Sequence, residues 1–305
     1  MLPSLVLFTG HAAVTSAFSG FRQELLATII PRDLTPTILP IVGGPSSAPE
    51  HSIRSDARRR PARTGEELMT SHRVRIGLLV PSSNTIMEQD IIRGVGPQAT
   101  LHTARMHMTE ATRAAENAML DRYLPQAIAD IASARPHITI FGCTSASALR
   151  GEEYDKELCS LISEQTGGVT ISTIAAVNDA IAASAASRVA ILTPYGEELN
   201  VKIRESIAAT GVEVIAIEGM GITENFDCSV PAPEEITERG AELVDRSSAD
   251  LLFISCTNFQ ALDAVASIER TAGVPVITSN SAVLRAVNEA INNVAAAALH
   301  ESTTK

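Results

Sequence analysis

From Val74 onward the chain alternates short apolar runs with longer stretches at helical spacing. The apolar runs are Val74–Val80, Ile138–Phe141, Val169–Ile171, Val189–Leu192, Val212–Ile217, Leu251–Ile254 and Val274–Ile277. Each is rich in Val, Ile and Leu and bounded by polar or turn residues, the pattern of a strand buried on both faces. Thr100–Met106 reads as a further short strand. The intervening Leu120–Ala134, Ala175–Ala186 and Ala282–Leu299 are rich in Ala and Leu and carry a helical period. Strand alternating with helix predicts an α/β fold whose mainly parallel sheets are covered on both faces.

The pattern also repeats. Pro81 closes the first strand and Pro194 closes its counterpart 113 residues on. Cys143-Thr144 and Cys256-Thr257 share that offset, as do Ala148-Leu149 and Ala261-Leu262. Two similar α/β halves follow, at residues 73–187 and 188–300, with 301–305 as a tail. Halves of this kind imply a pseudo-twofold arrangement with a cleft between them. Ligands in open α/β sheets bind beyond the carboxyl ends of the strands. Phe141-Gly142-Cys143-Thr144 and Ile254-Ser255-Cys256-Thr257 each follow a strand, so one thiol is expected from each side of that cleft.

Residues 1–72 differ from the rest. They hold seven Arg and no Lys against six acidic residues, and the stretch near Leu39–Pro49 is dense in Pro, Ser and Gly. No hydrophobic period persists there. Leu2–Phe8 is apolar, but no Lys or Arg precedes Arg22, which argues against a signal peptide. The segment is expected to be a disordered extension or to be missing from the mature protein, with Met69 as an alternative start.

Composition narrows the function. The 305 residues carry a net charge of −11, and aromatic residues make up only 3% with no Trp. A nucleic-acid surface needs clustered cations or stacking rings, so neither reading is supported. No apolar run reaches the length of a bilayer span. Four cysteines in a chain of this length do not make a disulfide scaffold. None is spaced as a zinc-ligand pair, so no metal is expected. Glycine-rich phosphate loops and a Gly-x-Ser-x-Gly elbow are missing from the sequence, so no nucleotide cofactor is expected. The chemistry is expected from side chains. Reduced thiols at the site would suit a cytoplasmic protein, and a homo-oligomer is possible.

Cys143 and Cys256 are the candidate catalytic residues. A helix N-terminus after each is expected to lower its thiol pKa. Facing thiols can act as base or nucleophile on one side and acid on the other. Backbone amides of Thr144, Ser145, Thr257 and Asn258 are candidate carboxylate donors. Pro81-Ser82-Ser83-Asn84-Thr85 is expected to open a helix, with Ser82 and Asn84 as caps or substrate ligands. Thr193-Pro194-Tyr195-Gly196 places a phenol at the equivalent turn. Cys159 and Cys228 lack a strand-end context, and Cys159 reads as packing. His102, His107 and His137 are weaker acid–base candidates, and Arg150 reads as a solvated side chain.

The opening Ile76-Gly77-Leu78-Leu79-Val80-Pro81-Ser82-Ser83-Asn84-Thr85-Ile86-Met87-Glu88 resembles the aspartate/glutamate racemase superfamily. Its nearest likeness is the branch of maleate cis-trans isomerases and arylmalonate decarboxylases, over about residues 73–300. That resemblance implies a cofactor-independent enzyme acting on a small carboxylate. It implies Cys143 as nucleophile, Cys256 as acid–base partner, and Asn84 and Tyr195 as substrate ligands. Asn225, in Gly221-Ile222-Thr223-Glu224-Asn225, matches a further asparagine of the branch. Arylmalonate decarboxylases keep only the second cysteine, so the pair favours an isomerase or racemase. The Thr144-Ser145-Ala146-Ser147 that follows Cys143 departs from the apolar residues of maleate isomerases and is closer to racemases and decarboxylases. The substrate is therefore left open. Maleate-type isomerisation ranks first. Two-base racemisation of an acidic amino acid, decarboxylation, and a non-catalytic accessory protein that binds small acids follow; relatives in ectoine catabolism widen the range.

Overall fold

The computed structural model describes the backbone of residues 73–303 and the side chains of residues 73–297. The extension expected at 1–72 and the last two residues of the tail lie outside the described residues. The first sheet has β1 (Val74–Pro81), β2 (Ala99–Met106), β3 (Ile138–Phe141) and β4 (Val169–Ser172). The second has β5 (Arg188–Thr193), β6 (Glu213–Gly219), β7 (Leu251–Ile254) and β8 (Val276–Thr278). Every pairing is parallel, and the strand orders β2-β1-β3-β4 and β6-β5-β7-β8 are the same order shifted by four strands. The repeat in the sequence is thus a repeat of topology.

Central strands read as near-continuous apolar runs because helices cover both faces. Ile138, Ile140 and Phe141 of β3 and Leu251 to Ile254 of β7 have no exposed surface. The helices of the first half are α1 (Met87–Val95), α2 (Arg113–Ala118), α3 (Leu124–Ala132), α4 (Thr144–Leu149), α5 (Glu152–Thr166) and α6 (Thr173–Ala183). Those of the second are α7 (Glu197–Ala208), α8 (Pro233–Ser247), α9 (Ala261–Ala272) and α10 (Ser279–Thr303). The closing helix α10 crosses back, packing on α1, α6 and strands β1, β3 and β4 of the first half. This crossover joins the halves.

Two elements differ from the sequence reading. The helix expected at Leu120–Ala134 is α3 preceded by a five-residue π-turn at Met119–Tyr123 and by α2. Pro125, in the first turn of α3, has no N–H to give the preceding turn, and the helix resets there. The last strand starts at Val276, not Val274. Pro275 cannot donate to a ladder, although its carbonyl accepts from Leu252 N at 3.1 Å.

Candidate active site

Both cysteines stand where their strands end. Gly142 follows β3 and must be glycine: a Cβ there would meet Met87 Sδ at 2.6 Å and Leu78 Cδ1 at 2.9 Å. This close approach sets the path on which Cys143 leaves the sheet, with extended backbone at φ −147°. Cys256 leaves β7 differently, with φ +114°, a region L-residues rarely adopt. Such strain persists only where surroundings enforce it, and it clusters at functional sites. Each thiol sulfur takes a backbone N–H from its own loop. Ala146 N–H serves Cys143, and Asn258 N–H reaches Cys256 Sγ at 3.3 Å.

Both thiols are buried and free of disulfide. Burial pushes the Cys143 thiol above its ordinary range, and the nearby Glu116 carboxylate adds to the shift. Burial likewise raises Cys256, beside Cys228 and Tyr195. The expected activation by helix N-termini is therefore corrected. The helix after Cys143 has only six residues, and that after Cys256 starts at Ala261, beyond an intervening turn. Desolvation outweighs the donated N–H groups, and the resting thiols are neutral.

The predicted ligands converge on a network that joins the halves. Asn84 Nδ2 donates to Thr257 Oγ1 at 3.0 Å, and Thr257 Oγ1 donates to Gly142 O at 3.1 Å. Thr85 N donates to Asn258 Oδ1 at 2.8 Å, and Asn258 Nδ2 donates to Asn225 O at 2.6 Å. Asn225 Nδ2 reaches Ser83 Oγ at 2.7 Å. Thr144 Oγ1 donates to Ser279 Oγ at 2.8 Å, and that oxygen also accepts Cys256 N at 3.1 Å. The turn after β1 does open α1, but the capping atom is Asn84 Oδ1, which accepts from Ile86 N and Met87 N. Ser82 instead faces the chain after β2, where its Oγ accepts Met108 N at 3.1 Å.

Tyr195 is buried beside Cys256, with Cys143 and Cys228 also near. Its phenol is pushed well above its usual range, chiefly by burial. Sequence reasoning passed over two residues here. Cys228 is fully buried against Cys256 although it follows no strand. Glu116, on α2, is fully buried and accepts a hydrogen bond from Ser145 Oγ, which lies 3.9 Å from Cys143 Sγ. Burial raises the Glu116 carboxyl to about 8. Its only signal in the sequence was an acid in an Ala-rich stretch after the second strand.

Other candidates stay outside. His137 Nδ1 accepts from Arg75 N at 2.9 Å, at the opposite end of the sheet. His102 contacts Thr100, and His107 packs edge-on against Tyr123. Arg150 is not the solvated side chain expected: it holds Asn117 and Asp121 and lies over the Tyr154 ring. Among the described residues no cluster of His, Cys, Asp and Glu could hold a metal, and no helix is long and apolar enough to cross a membrane.

Residues 76–301 match the model of the arylmalonate decarboxylase family. The chain belongs to the arylmalonate decarboxylase family. Among curated members and relatives of that family's fold, it is 30% identical to the maleate isomerase of Nocardia farcinica over 221 residues, 68% of this chain and 86% of that one. It is 27% identical to the maleate isomerase of Geobacillus stearothermophilus over 232 residues, 72% of this chain and 92% of the relative. A solved structure of the Nocardia farcinica maleate cis-trans isomerase, a cysteine-to-serine mutant, holds a covalently bound succinylcysteine intermediate. This arylmalonate decarboxylase family chain superposes on it with a TM-score of 0.67 at 26% identity, covering 72% of this chain and 94% of that one.

Proposed function

We propose that the protein is a cofactor-independent cis–trans isomerase of a small dicarboxylate of the maleate type. The observation that carries this reading is the pair of thiols at equivalent strand ends, Cys143 after β3 and Cys256 after β7. The covalent succinylcysteine of a structural relative supports the same chemistry.

Cys143 is the nucleophile. It passes its proton to the substrate carboxylate on the carbon it attacks, as its sulfur bonds to that alkene carbon. The displaced π pair moves onto the neighbouring carboxylate as an enediolate. The former double bond is now single and rotates. Return of the electron pair expels the sulfur and leaves the trans alkene, and the thiol regains a proton. Cys256, on the other face, donates a proton to the carbanionic carbon and takes it back, which accounts for a succinyl adduct as the resting form of the intermediate. Tyr195 stands beside Cys256 to hold a carboxylate or steady that proton. Asn84, Asn225 and Asn258 each spend one amide N–H on the network and keep a second, and with the backbone amides of Thr144, Ser145 and Thr257 they supply neutral donors around the substrate's carboxylates. Donors fixed in advance at a developing oxyanion each contribute about 3 kcal/mol.

The full chain incubated with maleate and reductant is followed by proton NMR. Growth of the fumarate signal supports the isomerase. Loss of an α-proton signal from aspartate or glutamate in deuterated buffer, with maleate untouched, would move the protein to the racemases. Release of arylacetate from an arylmalonate would make it a decarboxylase.

A further inference from the structure

Glu116 is a buried ionisable group beside Cys143 that the proposed chemistry leaves unused. It has no exposed surface. One carboxyl oxygen takes the Ser145 hydroxyl; the other, Oε2, is buried without a hydrogen-bond partner. Ser145 in turn touches Cys143. A buried polar atom with no partner costs free energy unless something fills its place. Here the place is beside the nucleophile, where a dicarboxylate and then an enediolate would sit.

Among the described residues, the groups around Glu116 leave it no counter-ion. On α4 and the loop before it stand Ser145 and Cys143; on α7 stands Glu198, whose charge opposes ionisation of Glu116. On α2 itself Arg113 is exposed, and in the π-turn Asp121 is held by Arg150. Among the described residues, no Arg, Lys or His is among the main groups that shift Cys143, Glu116, Tyr195 or Cys256. A third negative charge would oppose both the substrate dianion and the thiolate.

We infer that Glu116 works as a neutral carboxylic acid, whose Oε2–H donates to the bound carboxylate and whose ionisation shuts the site. This rests on the isomerase reading for the identity of the bound carboxylate, while the effect on Cys143 does not. A carboxylic acid kept neutral by an apolar site is an established kind of oxyanion donor. The alternative, a carboxylate that pulls the proton from Cys143 through Ser145, gives the opposite dependence on pH.

The test is the rate of Cys143 alkylation by iodoacetamide from pH 6.5 to 9.5, read by peptide mass spectrometry on the full chain. In the wild type the rate rises about tenfold per pH unit and then levels near pH 8, because the Glu116 charge resists a second one on Cys143. In Glu116→Gln the rise continues, so at pH 9 the variant reacts several-fold faster, with near-equal rates at pH 7. Maleate kcat/KM falls about tenfold per unit above pH 8 in the wild type and stays level in Glu116→Gln. A slower Glu116→Gln at pH 9, or an unbroken wild-type rise, overturns the inference. If Glu116→Gln does not fold, the wild-type curve decides alone. Levelled alkylation without maleate turnover would sink the substrate and keep the neutral acid; turnover with unbroken alkylation would do the reverse.

Discussion

Asn84 Nδ2 donates to Thr257 Oγ1 across 3.0 Å, tying the turn after β1 to the loop that carries Cys256. The same side chain's Oδ1 accepts from Ile86 N and Met87 N, so one amide holds both a helix start and the junction of the halves. Asn84→Ala strands these buried groups. It is expected to lower stability by about 1–3 kcal/mol in urea denaturation and to cut maleate kcat/KM by at least tenfold. Unchanged stability would mean that the junction is held elsewhere.

The cysteines should respond unequally. Cys143→Ala removes the proposed nucleophile and is expected to abolish turnover. Cys256→Ser leaves a donor of similar size, and is expected to slow turnover while letting an adduct accumulate on Cys143. Equal residual rates for the two variants in an NMR assay would contradict the assigned roles.

At Gly142 the constraint is steric. An added methyl meets Met87 Sδ, Leu78 Cδ1 and, at 3.2 Å, Leu79 O. Backbone cannot yield as a flexible side chain can, so Gly142→Ala is expected to cost about 1–3 kcal/mol. It should also displace Cys143 and lower kcat more than KM. Steady-state kinetics beside a urea titration separate the two effects.

Cys256 carries strain that glycine would not feel. Cys256→Gly and Cys256→Ala both lose the thiol, and both should be inactive. Differential scanning calorimetry should find the glycine variant the more stable, since alanine keeps the disfavoured φ. An alanine variant as stable as the glycine one would show the backbone to be unstrained.

Glu116 and Asp155 are carboxyls raised by burial, to about 8 and about 6. A raised carboxyl favours the fold while protonated and loses that benefit as pH climbs from its unfolded value to its folded one. Melting temperature is thus expected to fall between pH 5 and 8. Glu116→Gln should narrow the fall between pH 6 and 8, where Asp155 no longer contributes. A melting temperature independent of pH in both proteins would contradict the burial argument.

Much of this was legible because strand burial and repeat symmetry are one-dimensional signals. Ile138–Phe141 and Leu251–Ile254 are strands as written, and the shared offset of Cys143 and Cys256 is shared topology. Asn84, Thr257, Asn258 and Asn225 meet because each follows a strand or its loop at the same end of the sheets. What stayed hidden depends on three-dimensional packing. Whether a thiol is acidified or desolvated is decided by how deeply it lies, and burial won at both. Glu116 is six residues into an Ala-rich stretch whose break into α2 and a π-turn has no periodic signature. Arg150 found one partner, Asp121, on a π-turn that the sequence reading ran into a helix, and another, Asn117, on α2 before it. The return of α10 to the first half also has no local mark, since its apolar face would suit either sheet.

The central claim is that Cys143 bonds covalently to a dicarboxylate. It is tested most directly by incubating Cys256→Ser with maleate, quenching in acid, and mapping peptides by mass spectrometry. The account predicts a succinyl adduct on Cys143 that is missing from Cys143→Ala. Turnover of maleate with no adduct on Cys143, or an adduct confined to another cysteine, would contradict it.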